Sequence, residues 1–325
     1  MKKVLGMGAA LVDILANVDD AWIESQGVQK GGMNMVDWPQ MEKFLGALQN
    51  PLRVPGGSTC NTMVGLSRLG GKAAFISKIG DDELGHIFKK HLENNGVESK
   101  LGLSDAATGC VFSAVTPDAQ RSMWTYLGAS DLLSGEDFVP ALYDGVGLLY
   151  AEGYRAFNAD CFRKAFTLAR SQGAETALDF SSFGVVDACR KLFDELFAES
   201  MIDIIIANED EAYAYAGVKE EAALDVLAKK AKVAVVKIGK CGALIAKDGK
   251  TVHVEAGPAK AIDTTGAGDL WASGFLYGYM NGWDMERSGN LGSVVSNEVV
   301  QVMGAQIPED GWKRIAREQA VLSCR

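Results

Sequence analysis

The chain has 325 residues, of which 48% are hydrophobic and 23% are charged, and its formal net charge is −10. This composition predicts a globular protein, and the negative charge argues against a nucleic acid or an anionic membrane as partner. No stretch approaches the roughly 18 apolar residues that span a membrane, and the six cysteines form no CxxC pair. We therefore expect a cytoplasmic protein without a membrane segment.

Short apolar segments alternate with longer amphipathic ones along most of the chain. In chain order, the predicted strands are KKVLGMG, KAAFISKIG, GVGLLYAEG, ETALDFSS, IDIIIAN and VAVVKIG. The predicted helices are TCNTMVGLSRLG, ELGHIFKKHLENNG, DCFRKAFTLARSQG, VVDACRKLFDELFAES and EEAALDVLAKKAK. This alternation predicts an α/β fold with a mostly parallel central sheet and helices on both of its faces. Asp13 interrupts the first apolar run, which we therefore interpret as a strand and not as a secretion signal.

One region breaks this alternation. The segment TGCVFSAVTPDAQRSMWTYLG is typical of two strands around the turn TPDAQ, with no helix between them. Together with the polar-interrupted residues 14–36, residues 101–127 are predicted to form a small antiparallel sheet that projects from a single domain of residues 1–325. Trp124 and Tyr126 alternate on its second strand. These two side chains could stack on a ligand or take part in ordinary sheet packing, and the pattern favours packing.

The segment DTTGAGDLWASGF carries the strongest candidate chemistry. Gly266, Ala267 and Gly268 lie where a loop becomes a helix, and unpaired backbone N–H groups at a helix N-terminus attract anions. Asp269 follows at once. A carboxylate would repel a bound phosphate, but it suits the removal of a proton from an alcohol that attacks one. The alternative is structural: the glycines permit a tight turn and Asp269 stabilises the first helical turn.

A second glycine-rich segment, VPGGSTCNTMVGLSRLGG, opens another predicted helix. Gly56 and Gly57 form its turn, and Asn61 in the first helical turn is suited to hydrogen-bond a polyhydroxylated ligand. Asp13 follows the first predicted strand, at the carboxyl end where α/β sheets bind ligands. Its carboxylate suits a vicinal diol, and a purely structural aspartate is the alternative.

The two glycine-rich segments resemble the N-terminal and C-terminal signatures of the ribokinase/PfkB family of sugar and nucleoside kinases, in the family's order and at its separation. The resemblance implies a central sheet of about eight or nine strands and a small β-sheet lid over the substrate, through which a homodimer forms. It also implies an ATP-dependent phosphotransferase that uses Mg²⁺, with K⁺ as a further implied ion. Among members of the family, the chain looks closest to bacterial ones grouped with adenosine kinases.

The resemblance also implies roles for individual residues. Asp269 resembles the general base, and the turn of Gly266, Ala267 and Gly268 resembles the hole for the transferred γ-phosphoryl group. The implied substrate contacts are Asp13, Gly56, Gly57 and Asn61. The implied nucleotide contacts are Asn208, Lys237, Gly239, Gly242 and Asn297. The implied ion ligands are Asn208 and Glu211 for Mg²⁺, through water, and Asp263 and Thr265 for a monovalent cation.

Three functions remain open from the sequence. The first is an ATP-dependent kinase that acts on a primary hydroxyl group of a sugar or nucleoside, without a decision between acceptors. The second is a non-catalytic sugar- or nucleoside-binding relative, for which Asp269 would have no use as a base. The third, a nicotinamide-dependent dehydrogenase, rests only on GMGAAL, which lacks the third glycine of the dinucleotide fingerprint.

Overall fold

The computed structural model describes residues 1–27, 30–48, 51–118 and 120–324. In chain order, the strands are β1 (Lys3–Met7), β2 (Leu11–Asn17), β3 (Met33–Met35), β4 (Leu52–Gly56), β5 (Ala73–Gly80), β6 (Glu98–Ser104), β7 (Gly109–Val115), β8 (Arg121–Tyr126), β9 (Val146–Glu152), β10 (Glu175–Asp179), β11 (Ile204–Asn208), β12 (Val233–Lys237), β13 (Ala243–Lys247) and β14 (Lys250–Val254). The α-helices are α1 (Asp20–Ser25), α2 (Trp38–Gly46), α3 (Ser58–Arg68), α4 (Glu83–Asn94), α5 (Ala159–Ser171), α6 (Phe183–Ala198), α7 (Glu209–Ala216), α8 (Glu220–Ala228), α9 (Ala267–Met280), α10 (Met285–Val299) and α11 (Glu309–Ser323). Within these described ranges, no helix is both long enough and apolar enough to cross a lipid bilayer.

The larger sheet has nine strands in the order β14–β13–β12–β11–β10–β9–β1–β5–β6. The strands from β12 to β6 in this order are parallel, while β13 and β14 form antiparallel pairs at one edge. Helices cover both faces, so a strand such as Ile204–Asn208 buries consecutive isoleucines. The predicted α/β fold, with eight or nine strands in its central sheet, is confirmed.

Four neighbouring parallel strands each end in a polar residue, and their carboxyl ends lie along the same edge of this sheet. These residues are Glu152 on β9, Asp179 on β10, Asn208 on β11 and Lys237 on β12. The pairing places Asp179 opposite Glu152 and Asn208 opposite Lys237. Because parallel strands bring their carboxyl ends together, residues far apart in sequence meet here.

The smaller sheet has five strands in the order β3–β8–β7–β2–β4. Side chains of Ile14, Phe112 and Trp124 share one face and pack against α1 and α2 in a separate apolar core. The Trp124 ring lies 5.4 Å from that of Trp22 and is almost fully buried. Ordinary sheet packing therefore explains the position of Trp124, as we expected from the alternation of residues on its strand.

The smaller sheet differs from its expected form in three respects. Residues 101–104 belong to β6 of the larger sheet, because they continue a parallel pairing with β5. The strand Leu52–Gly56 belongs to the smaller sheet although the sequence pattern did not include it. The sheet is mixed rather than antiparallel, since β2 pairs with β7 and β3 with β8 in parallel. Residues 28, 29 and 119 of the expected lid segments lie outside the described residues.

Helices α1 and α2 also bear on the expected homodimer. They cover the face of the smaller sheet that carries Phe112 and Trp124, so this face is buried within the chain. A dimer through the lid would have to use the opposite face or a sheet edge. The homodimer stays a prediction.

Trp124→Ala should lower the free energy of unfolding by about 3–5 kcal/mol, because it removes a large side chain from the centre of a closed core. Met33→Ala on the neighbouring strand is the control, since Met33 is 57% exposed and its loss should cost under about 1 kcal/mol. Urea unfolding followed by circular dichroism measures both. Equal losses for the two variants would contradict the separate apolar core.

Candidate active site

The carboxylate of Asp269 lies between the first turns of two helices. Asp269 belongs to the first turn of α9, and the first turn of α3 supplies its two hydrogen-bond donors. The Ser58 hydroxyl donates to Oδ1 over 2.7 Å and the Asn61 amide donates to Oδ2 over 2.9 Å. Burial raises the pKa of Asp269, and these two hydrogen bonds offset part of that rise. The result is an oriented carboxylate that binds a proton more readily than a solvated one.

Two glycines shape the backbone at the starts of these helices. Gly266, at the N-cap of α9, has φ of +74°, and Gly57, at the N-cap of α3, has φ of +95°. A Cβ on Gly57 would lie 2.6 Å from the carbonyl oxygen of Ala9. Both positions therefore require glycine, and neither cap has a side chain that could occupy the helix N-terminus.

The ammonium group of Lys237 lies beside the turn that precedes Asp269. A Cβ on Gly268 would come within 3.0 Å of Lys237 Nζ, so the missing side chain leaves room for this cation. Lys237 Nζ also lies 3.2 Å from Oδ2 of Asp179. Burial alone would lower the pKa of Lys237. The surrounding carboxylates of Asp179, Glu211 and Asp269 outweigh it, and the pKa lies above its ordinary value.

Asn208 and Glu211 form a reciprocal cap at the start of α7. The Asn208 side chain accepts from the backbone N–H of Glu211, and both oxygens of Glu211 accept from Asn208, each over 2.8 Å. Burial, reinforced by the charge of Asp179, raises the pKa of Glu211 to about 7. The spacing of three residues between Asn208 and Glu211 thus has a structural role, because it caps the helix. It also holds the Glu211 carboxylate near Lys237.

Asp13 lies on β2 of the smaller sheet rather than directly after β1. Burial raises its pKa to about 6, and the nearby charge of Arg121 lowers it in part. Gly56 closely approaches the Asp13 carboxylate, because a Cβ there would collide with Oδ2. The two predicted substrate contacts are therefore neighbours on paired strands. Asn61 donates its amide N–H to Asp269 over 2.9 Å, and its predicted contact with the substrate stays a prediction.

A cavity of about 460 Å³ brings the predicted nucleotide contacts together. Its lining includes Asn208, Lys237, Gly239, Gly242, Ala267, Gly268 and Asn297. The sequence missed Trp271 and Gly257, which also line it. A larger cavity of about 980 Å³, on the far side of the smaller sheet, has Trp38, Tyr126 and Asp82 in its lining but contains none of the predicted site residues.

Three polar residues of this region were not anticipated. Asp179 ends β10 and forms an ion pair with Lys237. In the sequence, it could have been recognised as the single acidic residue at the end of an apolar strand. Glu152 ends β9 and accepts from the backbone N–H groups of Ala9 and Thr59. Arg121 on β8 donates to Asp263 over 3.0 Å and to the Thr265 hydroxyl over 3.5 Å. The strand pattern places Arg121 in the sheet but carries no information on its partner across the fold.

The fold and the family follow from these features. A nine-stranded sheet joined to a second small sheet defines a ribokinase-like protein. The family model described as pfkB family carbohydrate kinase matches residues 36–311, and the chain belongs to this family.

Individual relatives support the same assignment. The structure of an adenosine kinase from Sinorhizobium meliloti is similar, with 34% identity, a TM-score of 0.86, and coverage of 98% of this chain and 99% of that one. That of a probable sugar kinase from Rhizobium etli CFN 42 has 33% identity, a TM-score of 0.88 and coverage of 99% of both chains. A 5-dehydro-2-deoxygluconokinase from Geobacillus kaustophilus is 27% identical over 270 residues, 75% of this chain and 78% of that protein. The relatives are thus sugar and nucleoside kinases.

Gly268→Ala should weaken the binding of ATP, measured by calorimetry, by roughly 10- to 100-fold. The added methyl group displaces Lys237 Nζ and crowds the backbone N–H groups, and hydrogen bonds to charged groups contribute about 1.5–3 kcal/mol each. Gly184→Ala is the matched control, because this exposed helical glycine has room for a Cβ. ATP affinity within about twofold of wild type in Gly268→Ala would remove the turn from the nucleotide site.

Glu211→Gln should change how stability depends on pH. The pKa of Glu211 is raised from 4.5 to about 7 on folding, so its ionisation disfavours the folded chain. The protonated Glu211 therefore stabilises the folded chain, and this contribution to the free energy of unfolding is fully present below pH 4.5. It is lost as the pH rises from 4.5 to about 7, by about 1.4 kcal/mol per pH unit. The variant should lack this decline in urea unfolding series across that range. Glu209→Gln, in the same helical turn but exposed, should keep the wild-type profile, and a wild-type profile for Glu211→Gln would refute the raised pKa.

Proposed function

We propose that this protein transfers the γ-phosphoryl group of ATP to a hydroxyl group of a small acceptor, and that a nucleoside is its acceptor. The observation that carries the proposal is the placement of the Asp269 carboxylate. It is held by two donors from α3, directly behind the turn of Gly266 to Gly268, with the Lys237 ammonium group beside that turn. A base next to an anion-binding turn suits phosphoryl transfer and has no use in a protein that only binds.

Asp269 takes the proton of the acceptor hydroxyl in this mechanism. The acceptor oxygen forms a bond to the γ-phosphorus, the bond from that phosphorus to the bridging oxygen breaks, and ADP leaves. Because burial raises the pKa of Asp269, its carboxylate is a stronger base than a solvated aspartate. It must be unprotonated to act, so kcat/KM for the acceptor should fall as the pH drops through this raised pKa.

The negative charge of the transferred group is met by the turn and by Lys237. The backbone N–H of Ala267 donates to the carbonyl oxygen of Thr264, so the donors for the oxygens of the transferred group are the backbone N–H groups of Gly268 and Asp269, and the helix dipole adds to their effect. The ammonium group of Lys237 would move from Asp179 to the phosphates, as their charge is greater. This exchange keeps a cation near the reacting atoms before and after nucleotide binding.

Magnesium would be held by the nucleotide phosphates and by Glu211, with Asn208 beside it. Across the described ranges, no group of three or more His, Cys, Asp or Glu residues could form a complete metal cage. This fits Mg²⁺, which commonly uses one or two carboxylates together with phosphates and water. When bound, the ion neutralises charge that develops on the phosphates.

The inner face of the smaller sheet supports a nucleoside as acceptor. The strand pairing puts Val111, Thr125 and Met35 on the same face as Asp13. Met33 and Met35 on this sheet are 57% and 60% exposed. Val111 and Thr125 are largely buried, so the two methionines provide the exposed apolar surface on this sheet. Such a surface near the Asp13 carboxylate suits a ligand with hydroxyl groups at one end and a flat base at the other. The similarity to an adenosine kinase over 98% of the chain makes adenosine the first candidate.

ADP release from Mg-ATP with adenosine, other nucleosides, ribose, fructose and 5-dehydro-2-deoxygluconate tests the proposal. We expect turnover with a nucleoside, reduced about 10²- to 10⁴-fold by Asp269→Asn while ATP binding is kept. Asp160→Asn is the matched control, since Asp160 also lies in a first helical turn but is exposed and does not line the cavity of the predicted nucleotide contacts.

Each outcome of this experiment has a separate meaning. Turnover with a sugar alone would overturn the nucleoside assignment and keep the kinase. Turnover of Asp269→Asn within about tenfold of wild type would remove Asp269 as the base. ATP binding without turnover on any acceptor would favour the non-catalytic binding relative.

A further inference from the structure

The carboxylate of Asp263 is fully engaged by hydrogen-bond donors. Its Oδ1 accepts from the backbone N–H of Thr265 over 3.0 Å and from the Thr265 hydroxyl over 2.7 Å. Its Oδ2 accepts from the backbone N–H of Gly304 over 2.8 Å and from Nη2 of Arg121 over 3.0 Å. Asp263 thus joins three segments: the loop before α9, the loop after α10, and β8 of the smaller sheet.

These contacts do not fit the monovalent cation that the sequence resemblance implied at Asp263 and Thr265. A cation needs free oxygen lone pairs, and each oxygen of Asp263 already accepts two hydrogen bonds. The Arg121 guanidinium would also repel a second positive charge at this distance. The carbonyl oxygen of Val300, which faces the same loop, accepts from the backbone N–H groups of Ile262 and Asp263.

The electrostatics of Asp263 agree with a site that is already neutralised. Burial alone would raise its pKa, but the hydrogen bonds from Gly304 and Thr265 and the charge of Arg121 hold the pKa below its ordinary value. The pair is largely shielded from water, because the side chains of Arg121 and Asp263 are 20% and 14% exposed. Charge-assisted hydrogen bonds in such surroundings are stronger than those between solvated groups.

We propose that Arg121 takes the place of a monovalent cation at this site and is a positioning residue for the phosphate-binding turn. The guanidinium group holds Asp263 and Thr265, and Thr265 directly precedes Gly266 at the N-cap of α9. The conformation of the turn is therefore maintained by an arginine from β8 of the smaller sheet and not by potassium. The role in phosphate binding rests on the proposed kinase function, whereas the ion pair itself does not.

Two comparisons in potassium, sodium and choline chlorides at equal ionic strength test the replacement. We expect the melting temperature of the wild type and its rate of ADP release to be the same in all three salts. A several-fold higher rate in potassium chloride, or a higher melting temperature there than in choline chloride, would overturn the proposal. The melting comparison stays informative if no acceptor supports turnover, so failure of the kinase function and failure of this inference are distinguishable.

Variants of Arg121 test the positioning role. Arg121→Gln should lower kcat by roughly 10- to 100-fold, because small displacements of a reacting group are costly. Arg121→Lys keeps the charge and should recover part of this loss. Arg53→Gln is the matched control, since Arg53 also forms an ion pair from the smaller sheet, with Glu83, away from the turn. Wild-type kcat in Arg121→Gln would refute the role.

A thermal double-mutant cycle tests the pair without any activity. Asp263→Asn should lower the melting temperature of the wild type more than that of Arg121→Gln, because the second background has already lost the partner. Equal shifts in the two backgrounds would show that Arg121 and Asp263 do not interact, and the proposal would fall.

Discussion

Four parallel strands end side by side, and each contributes a polar or charged group to the same edge of the sheet. Glu152, Asp179, Asn208 and Lys237 come from distant parts of the sequence and meet because parallel pairing aligns carboxyl ends. Several acids therefore lie together here, and burial raises the pKa of Glu152 and of Glu211. Lys237 offsets part of this negative charge.

The two helix N-termini add directional donors to this edge. Helices α3 and α9 begin at glycines with positive φ, so neither cap residue has a side chain, although the Glu152 carboxylate accepts from the backbone N–H of Thr59 in the first turn of α3. Ser58 and Asn61 from α3 fix Asp269 on α9, so the carboxylate keeps one orientation. In the neighbouring turn, the backbone N–H of Ala267 donates to the carbonyl oxygen of Thr264. The proposed base and the proposed anion-binding turn therefore lie within four consecutive residues, while the carboxylate is held by donors from α3.

The sequence predicted much of this arrangement because the central strands and helices repeat a strong local pattern. Apolar runs buried on both faces, such as Ile204–Asn208, require neither context nor partners to be recognised. Gly57 and Gly266 were also recognisable, since a glycine before a helix has a specific backbone use. These features are local, and local patterns are visible in a single chain.

Contacts between distant segments could not be predicted in the same way. Nothing near Arg121 in the sequence indicates a partner 142 residues away at Asp263. Residues 101–104 alternate like the strands that follow them, and only their pairing with β5 assigns them to the larger sheet. Asp13 was placed after β1, whereas the chain turns at once into β2 and carries this residue into the smaller sheet.

The connection from β4 to α3 has a mechanical consequence. Gly56 ends β4 of the smaller sheet, Gly57 follows, and Ser58 begins α3, whose first turn donates to Asp269. A single glycine thus separates a strand of the smaller sheet from the hydroxyl group that donates to Asp269. If the smaller sheet shifts around a ligand, Gly57 transmits the movement to the hydroxyl group of Ser58. Since a withdrawn donor leaves the carboxylate with a greater affinity for protons, a movement of the smaller sheet and the proton affinity of Asp269 are linked through the backbone itself.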